Sequence, residues 1–279
     1  MYEGDCMSKK IVVAVFFLFA LFICYRVEQN VYETKTYSFY KNIGLPDKES
    51  AQTNSNQVLE NEAINENLVV NEKKKVAYLT FDDGPSEITK EVLKVLEEKN
   101  VNATFFLIGN QITDETIPIL KQSVKDGNCI GIHTYCHECE KIYCSADAYL
   151  NDFQKTYDAI KTNIGVEPKI FRFPWGSANR FLSSIEEDVI TKLEAEGFTY
   201  YDWNVSAEDS VGRPTSYSIM KNIRKDYKKY NKPVILMHDS STCKLSAQML
   251  PGIIDELKQA GYSFDTLDHM ATPYQWPRD

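Results

Sequence analysis

The sequence predicts an α/β fold of about seven parallel strands, preceded by a transmembrane helix and a flexible stalk. Three observations carry this expectation. From Val76 onward, short β-branched or aromatic runs alternate with longer amphipathic ones, the pattern of strands joined by helical crossovers. Most of the amphipathic runs end on Asn or Gly, where a left-handed cap stops a helix. Ahead of this alternation stand one long uncharged run and one polar tract.

The uncharged run is Ile11–Tyr25, "IVVAVFFLFALFICY". As a helix it would be roughly 22 Å long, and Lys10 and Arg26 can snorkel to stretch it toward the roughly 30 Å hydrocarbon core. We read 11–27 as a signal anchor and 1–10 as cytoplasmic. A cleaved signal peptide is the rival reading, but no A-x-A-like site follows. Lys9 and Lys10 precede the run, so the positive-inside rule places the rest of the chain outside. The expected location is the cell membrane, single-pass, with an extracytoplasmic domain. Residues 28–73 include "DKESAQTNSNQVLENEAINENLVVNEK", too polar to offset chain entropy by burial, and read as a stalk. The folded domain is expected over 74–272.

Within that domain the strand candidates are 75–81, 103–108, 129–133, 169–173, 199–204, 234–238 and 263–267. Helices are expected over 86–99, 113–126, 146–163, 184–196, 215–230 and 246–260. Asn100, Gly127, Gly165, Gly197 and Gly261 stand just past five of them. The sheet closes as an irregular barrel or stays open and doubly wound. Either way, the C-terminal strand ends share one face. Asp82 and Asp83 follow the first strand and His133 ends the third. Arg172 lies near the end of the fourth, Asn204 and Asp209 follow the fifth, and His238 and Asp239 end the sixth. Residues far apart in sequence therefore converge at one mouth.

Two adjacent carboxylates at a buried strand end are costly unless a cation shares the site. "GIHTYCHE" offers His133 and His137 at an i, i+4 spacing, which on a helical turn aims both imidazoles one way. Two histidines and one carboxylate leave open positions on a divalent ion. The bland reading is an Asp-Asp-Gly-Pro turn that caps the next helix. The net charge of −9, with no basic stripe beyond Lys73–Lys75, argues against nucleic acid as a partner. Nothing in the sequence points to a protein partner.

Five segments resemble, in order, the motifs of the polysaccharide deacetylase family, the NodB-homology domain of carbohydrate esterase family 4. They are "TFDDG" at 80–84, "HTYCH" at 133–137, "RFPWG" at 172–176, "WNVSAED" at 203–209 and "LMH" at 236–238. The resemblance implies a distorted, incomplete (β/α) barrel and metal-dependent removal of N-acetyl groups from a sugar. By that resemblance, Asp83, His133 and His137 hold the metal, Zn or alternatively Co, Ni or Mn. Asp82 is the general base and Arg172 its partner. His238 is the acid, with Asp209 orienting it. The Trp175 backbone N–H stabilises the oxyanion, and Trp175 and Leu236 line the acetyl slot. The implied partner is a cell-wall glycan, peptidoglycan ahead of chitin or xylan. Rival readings are an O-acetyl esterase and a carbohydrate-binding homologue without activity. Ser210 departs from the family pattern, which usually carries Trp after that Asp.

Cys129, Cys136, Cys139, Cys144 and Cys243 fall in the expected domain. "CHECEKIYC" contains a C-x-x-C, but no second pair follows at zinc-finger spacing. An outside location permits disulfides, for example among Cys136, Cys139 and Cys144.

Overall fold

The strand β1 (Val76–Gly84) shows how the sheet is built. Its side chains alternate between two layers, as a pleated strand requires. Ala77, Leu79 and Phe81 pack outward with Ile88, Val92 and Leu96 of helix α1 (Glu87–Lys99). Val76 and Tyr78 face inward, with Phe106, Ile170, Tyr201 and Val234. These belong to a computed structural model that describes residues 74–278. The expected cytoplasmic segment 1–10, anchor 11–27 and stalk 28–73 lie outside the described residues. Among the described residues no helix is long and apolar enough to cross a membrane.

The other strands are β2 (Thr104–Leu107), β3 (Cys129–Ile132), β4 (Ile170–Phe171), β5 (Thr199–Tyr200), β6 (Val205–Ser206), β7 (Val234–His238) and β8 (Ser263–Phe264). Seven of them pair in the order β5-β4-β3-β2-β1-β7-β6, and β8 pairs with the start of β1. Every pairing is parallel. Of the two closures the rhythm allowed, the structure has an incomplete barrel. Its crossovers include α2 (Ile117–Lys125), α3 (Cys139–Ile142), α4 (Ala146–Ile164), α5 (Glu186–Ala195), α6 (Ser216–Asp226) and α7 (Lys244–Gln259).

Local chemistry places the helix ends. Ser86 caps α1: its hydroxyl accepts from the Ile88 N–H, and its own N–H donates to Thr89 Oγ1 at 2.8 Å. Asn100 ends α1 and Gly165 ends α4, both left-handed, with φ of 50° and 84°.

The expected strand over 199–204 is corrected. Only Thr199–Tyr200 pair with β4, and Val205–Ser206 pair with β7 on the opposite edge. Between them the backbone changes partners. The Tyr201 N–H still donates to Phe171 O, the Asp202 N–H donates to Tyr274 O, and the Asn204 N–H donates to Val234 O. This is the seam of the barrel, and the C-terminal segment runs along it. The expected domain end at 272 therefore leaves out residues that pack on the seam: the Trp276 N–H donates to Asp202 Oδ2 at 2.8 Å.

Candidate active site and metal centre

The inner face of β1 turns from apolar to polar as it nears the mouth, from Val76 and Tyr78 to Thr80 and Asp82. Arg172, just past β4, is fully buried and meets both polar side chains. Its Nη1 donates to Thr80 Oγ1 at 2.8 Å and to Asp82 Oδ1 at 2.9 Å. Its Nε and Nη2 donate to the carbonyls of Tyr201 and Asp202. The guanidinium also lies 4.3 Å from the centre of the Phe106 ring. A buried guanidinium needs such partners.

Next to Asp82 the register of β1 slips against β2, and Asp83 takes a left-handed φ of 70°. The bulge brings Asp83 to the same mouth as its neighbour. Asp83 Oδ1 lies 3.5 Å from His133 Nε2 and 3.3 Å from His137 Nε2. The candidate ligand atoms of Asp83, His133 and His137 all lie within 4.8 Å of one another. His133 is held by its other nitrogen: Nδ1 is 2.8 Å from Arg172 O. A carbonyl only accepts, so Nδ1 carries the hydrogen and Nε2 presents its lone pair.

The expected helical turn between His133 and His137 is corrected. His133 follows β3, and His137 is reached through a loop with left-handed residues at Thr134 (φ 66°) and His137 (φ 55°). The loop is fastened from outside. The Gly109 and Asn110 N–H groups donate to the Thr134 and Tyr135 carbonyls, and the Tyr135 N–H donates to Asp152 Oδ1.

The electrostatics suit a cation. Burial works against the charge of Asp83, but the facing imidazole of His133, with the charges of His137 and His238, outweighs it and holds the carboxyl well below its usual range. Burial, then the charge of His133, pushes His137 down to about 4, so its ring is neutral at pH 7. Burial disfavours His133 imidazolium, yet the charges of Asp82 and Asp83 more than offset this and raise its pKa. The same negative field that attracts a proton there attracts a metal ion. Asp83 Oδ1 is buried with no hydrogen-bond donor, as an oxygen kept for a cation would be. The donor set, two imidazoles and one carboxylate, fits a divalent ion with open positions.

His238 is in register with Asp82 across β1 and β7. Asp209 holds it twice: Oδ1 is 2.8 Å from His238 Nδ1, and Oδ2 accepts the His238 backbone N–H at 2.8 Å. The Ser246 hydroxyl also donates to Asp209 Oδ2. Burial lowers the imidazolium pKa, but the hydrogen bond and charge of Asp209, with the charges of Asp82 and Asp83, lift it to about 9. His238 Nε2 faces Ser210 Oγ at 3.4 Å.

Trp175 is half-exposed at the mouth, left-handed with φ 63°, its ring centre 4.8 Å from that of His137. Leu236 is buried on β7, two residues before His238 and so on the same face of the strand. All nine site residues expected from the sequence thus stand at or just below one mouth. Sequence reasoning gave Thr80, Asp152 and Asp202 no supporting role: Thr80 entered only as the first residue of "TFDDG", and nothing in the local pattern of Asp152 or Asp202 marked them. It placed Asp239 at the mouth without a role. In the structure Asp239 is buried, accepts from Thr89 Oγ1 at 2.5 Å and presses on Gly84, where a Cβ would lie 2.5 Å from Asp239 Oδ1. The five described cysteines are free thiols.

Two outcomes are expected. After zinc loading and dialysis, the full chain should retain about one ion, and Asp83→Ala should retain almost none by elemental mass spectrometry. Equal retention would remove Asp83 from the ligand set. In the metal-free chain, NMR should find His238 charged at neutral pH and losing its proton as pH rises through about 9. Asp209→Asn should move that transition to lower pH, because the pair then loses its negative charge. An unmoved transition would contradict the pairing.

Comparison with known proteins agrees with this geometry. Residues 69–199 match the family model described as polysaccharide deacetylase. A Bacillus cereus peptidoglycan-N-acetylglucosamine deacetylase is 32% identical over 202 residues, covering 69% of this chain and 69% of its own length. The catalytic domain of a peptidoglycan N-acetylglucosamine deacetylase from Eubacterium rectale superposes with a TM-score of 0.68 at 30% identity, covering 74% of this chain and 94% of that one. A Bacillus cereus polysaccharide deacetylase superposes with a TM-score of 0.65 at 32% identity, covering 73% and 97%. An incomplete parallel barrel, an Asp-His-His cluster and a buried Arg-Asp pair at its mouth, together with these likenesses, make the chain a member of the polysaccharide deacetylase family.

Proposed function

We propose that the chain is a metal-dependent N-deacetylase acting on N-acetylated amino sugars of a cell-wall glycan, peptidoglycan above all. The observation that carries this is Asp82. It is 3% exposed, held by Arg172, and its Oδ2 lies 3.8 Å from His133 Nε2, directly beside the Asp-His-His cluster. A carboxylate so placed but outside the ligand set is suited to move a proton. The choice of peptidoglycan is supported by the names of the relatives, and the amide chemistry by the His238–Asp209 pair across the mouth.

Asp83, His133 and His137 would hold the divalent ion, with zinc the first choice and Co, Ni or Mn the alternatives. Bound there, it would polarise the acetamide carbonyl and acidify water. Asp82 takes a proton from the attacking water, and Arg172 keeps its carboxylate turned to the mouth. The water oxygen bonds to the carbonyl carbon, giving an oxyanion. The Trp175 backbone N–H is the donor assigned to that oxygen, and one such donor is typically worth about 3 kcal/mol. The C–N bond then breaks. The nitrogen takes its proton from His238 Nε2, since Asp209 occupies Nδ1. Acetate and a free amine leave. Leu236 and the Trp175 ring would bound the acetyl methyl. We place this chemistry outside the cell membrane, on the sequence of 11–27 and its preceding lysines.

The test is acetate release from defined peptidoglycan fragments by the full chain, with mass spectrometry to locate the lost acetyl group on GlcNAc or MurNAc. Asp82→Asn should keep its metal and lose about 10²–10⁴-fold in turnover. Normal turnover in that variant would remove Asp82 as the base. Faster release from O-acetyl than from N-acetyl oligosaccharides would favour the esterase reading instead.

A further inference from the structure

The C-terminal segment touches the loop that carries Trp175. Trp175 and Gly176 are successive left-handed residues, with φ of 63° and 80°. Trp rarely adopts that conformation, so neighbours must impose it. Two neighbours do. The Trp276 indole packs on the backbone of Gly176, where a Cβ would lie 2.6 Å from Trp276 Cη2 and 3.0 Å from Trp203 Cη2. Asp202, fully buried, joins the two segments through one carboxylate. Its Oδ1 accepts the Ser177 N–H at 2.9 Å, and its Oδ2 accepts Ser177 Oγ at 2.6 Å and the Trp276 N–H at 2.8 Å. Trp276 is fixed in turn: its Nε1 donates to Trp203 O at 2.8 Å, and the two indoles meet edge to face at 4.4 Å. Further along, Arg278 Nε donates to the Tyr200 hydroxyl at 3.2 Å.

We propose that Trp276 and Asp202 are positioning residues of the active site. The C-terminal segment seals the barrel seam and, through this contact, holds the Trp175–Gly176 turn against His137. The segment lies wholly outside residues 69–199 that match the family model. The role rests on the reading that Trp175 serves acetamide hydrolysis, but the mechanical link stands on its own hydrogen bonds.

The test uses the full chain as wild type, Trp276→Ala, Trp276→Phe and Asp202→Asn. Hydrogen exchange is followed by mass spectrometry, and acetate release is measured on N-acetylglucosamine oligomers. Trp276→Ala should speed exchange about tenfold in residues 173–179 while β1, β2 and β7 stay unchanged. It should lower kcat about tenfold with KM changed less than about twofold, because a misplaced turn costs chemistry more than binding. Trp276→Phe should recover most of both. Should Trp276→Ala fail to fold, Asp202→Asn carries the same expectation, because one carboxylate oxygen becomes an amide nitrogen that cannot accept from Ser177 or Trp276. Unchanged exchange in 173–179, an equal rise throughout the domain, or wild-type kcat would overturn the proposal. If the wild type itself releases no acetate, the deacetylase reading fails, and the exchange pattern still decides whether the segment holds the turn.

Discussion

Arg172 is a charged side chain with no exposure to solvent, and much of the domain is arranged to satisfy it. A small barrel ordinarily fills its interior with apolar layers. Here the lower layer is apolar, with Val76, Tyr78 and Val234, while the upper layer is a guanidinium on Thr80 and Asp82. Two of its acceptors are the carbonyls of Tyr201 and Asp202, from the stretch where the chain leaves one sheet edge for the other. The open seam and the buried arginine therefore belong together. Removing one member of a buried ion pair typically costs about 3–5 kcal/mol, because the other is left unpaired. A pair so expensive to disturb holds the Asp82 carboxylate rigidly at the mouth.

Asp82 connects that foundation to the chemistry. One of its oxygens accepts from Arg172, and the other faces His133. Strand register sets what stands beside it: His238 across β7, and His133 and Arg172 where β3 and β4 end side by side. The bulge after Asp82 adds Asp83 to the same mouth without lengthening the strand. Arg172 also contributes through its backbone, whose carbonyl fixes the tautomer of His133. A single residue thus orients both Asp82 and His133.

Much of this was legible in the sequence. The long apolar strands β1 and β7 stood out because both of their faces are buried, and parallel topology brings their C-terminal ends together. That is why the sequence alone assigns Asp82, Asp83, His133, Arg172 and His238 to one face. Other features left no such trace. Strands of two residues, such as Val205–Ser206, carry no period, so one continuous strand was expected where the chain crosses the seam. The spacing of His133 and His137 suits a helix, and the left-handed φ of Thr134 and His137 that defeats one is not written in those residue types. Asp202 sat unnoticed inside that expected strand, and Trp276 lay past its expected domain end. Both matter through tertiary contacts alone.

The most direct measurement is a crystal structure of the zinc-loaded chain with anomalous scattering at the zinc edge. The account predicts one peak bounded by Asp83, His133 and His137, with Asp82 outside the ligand set and still on Arg172. A peak elsewhere, or an Asp82 that has left Arg172 to bind the ion, would contradict it.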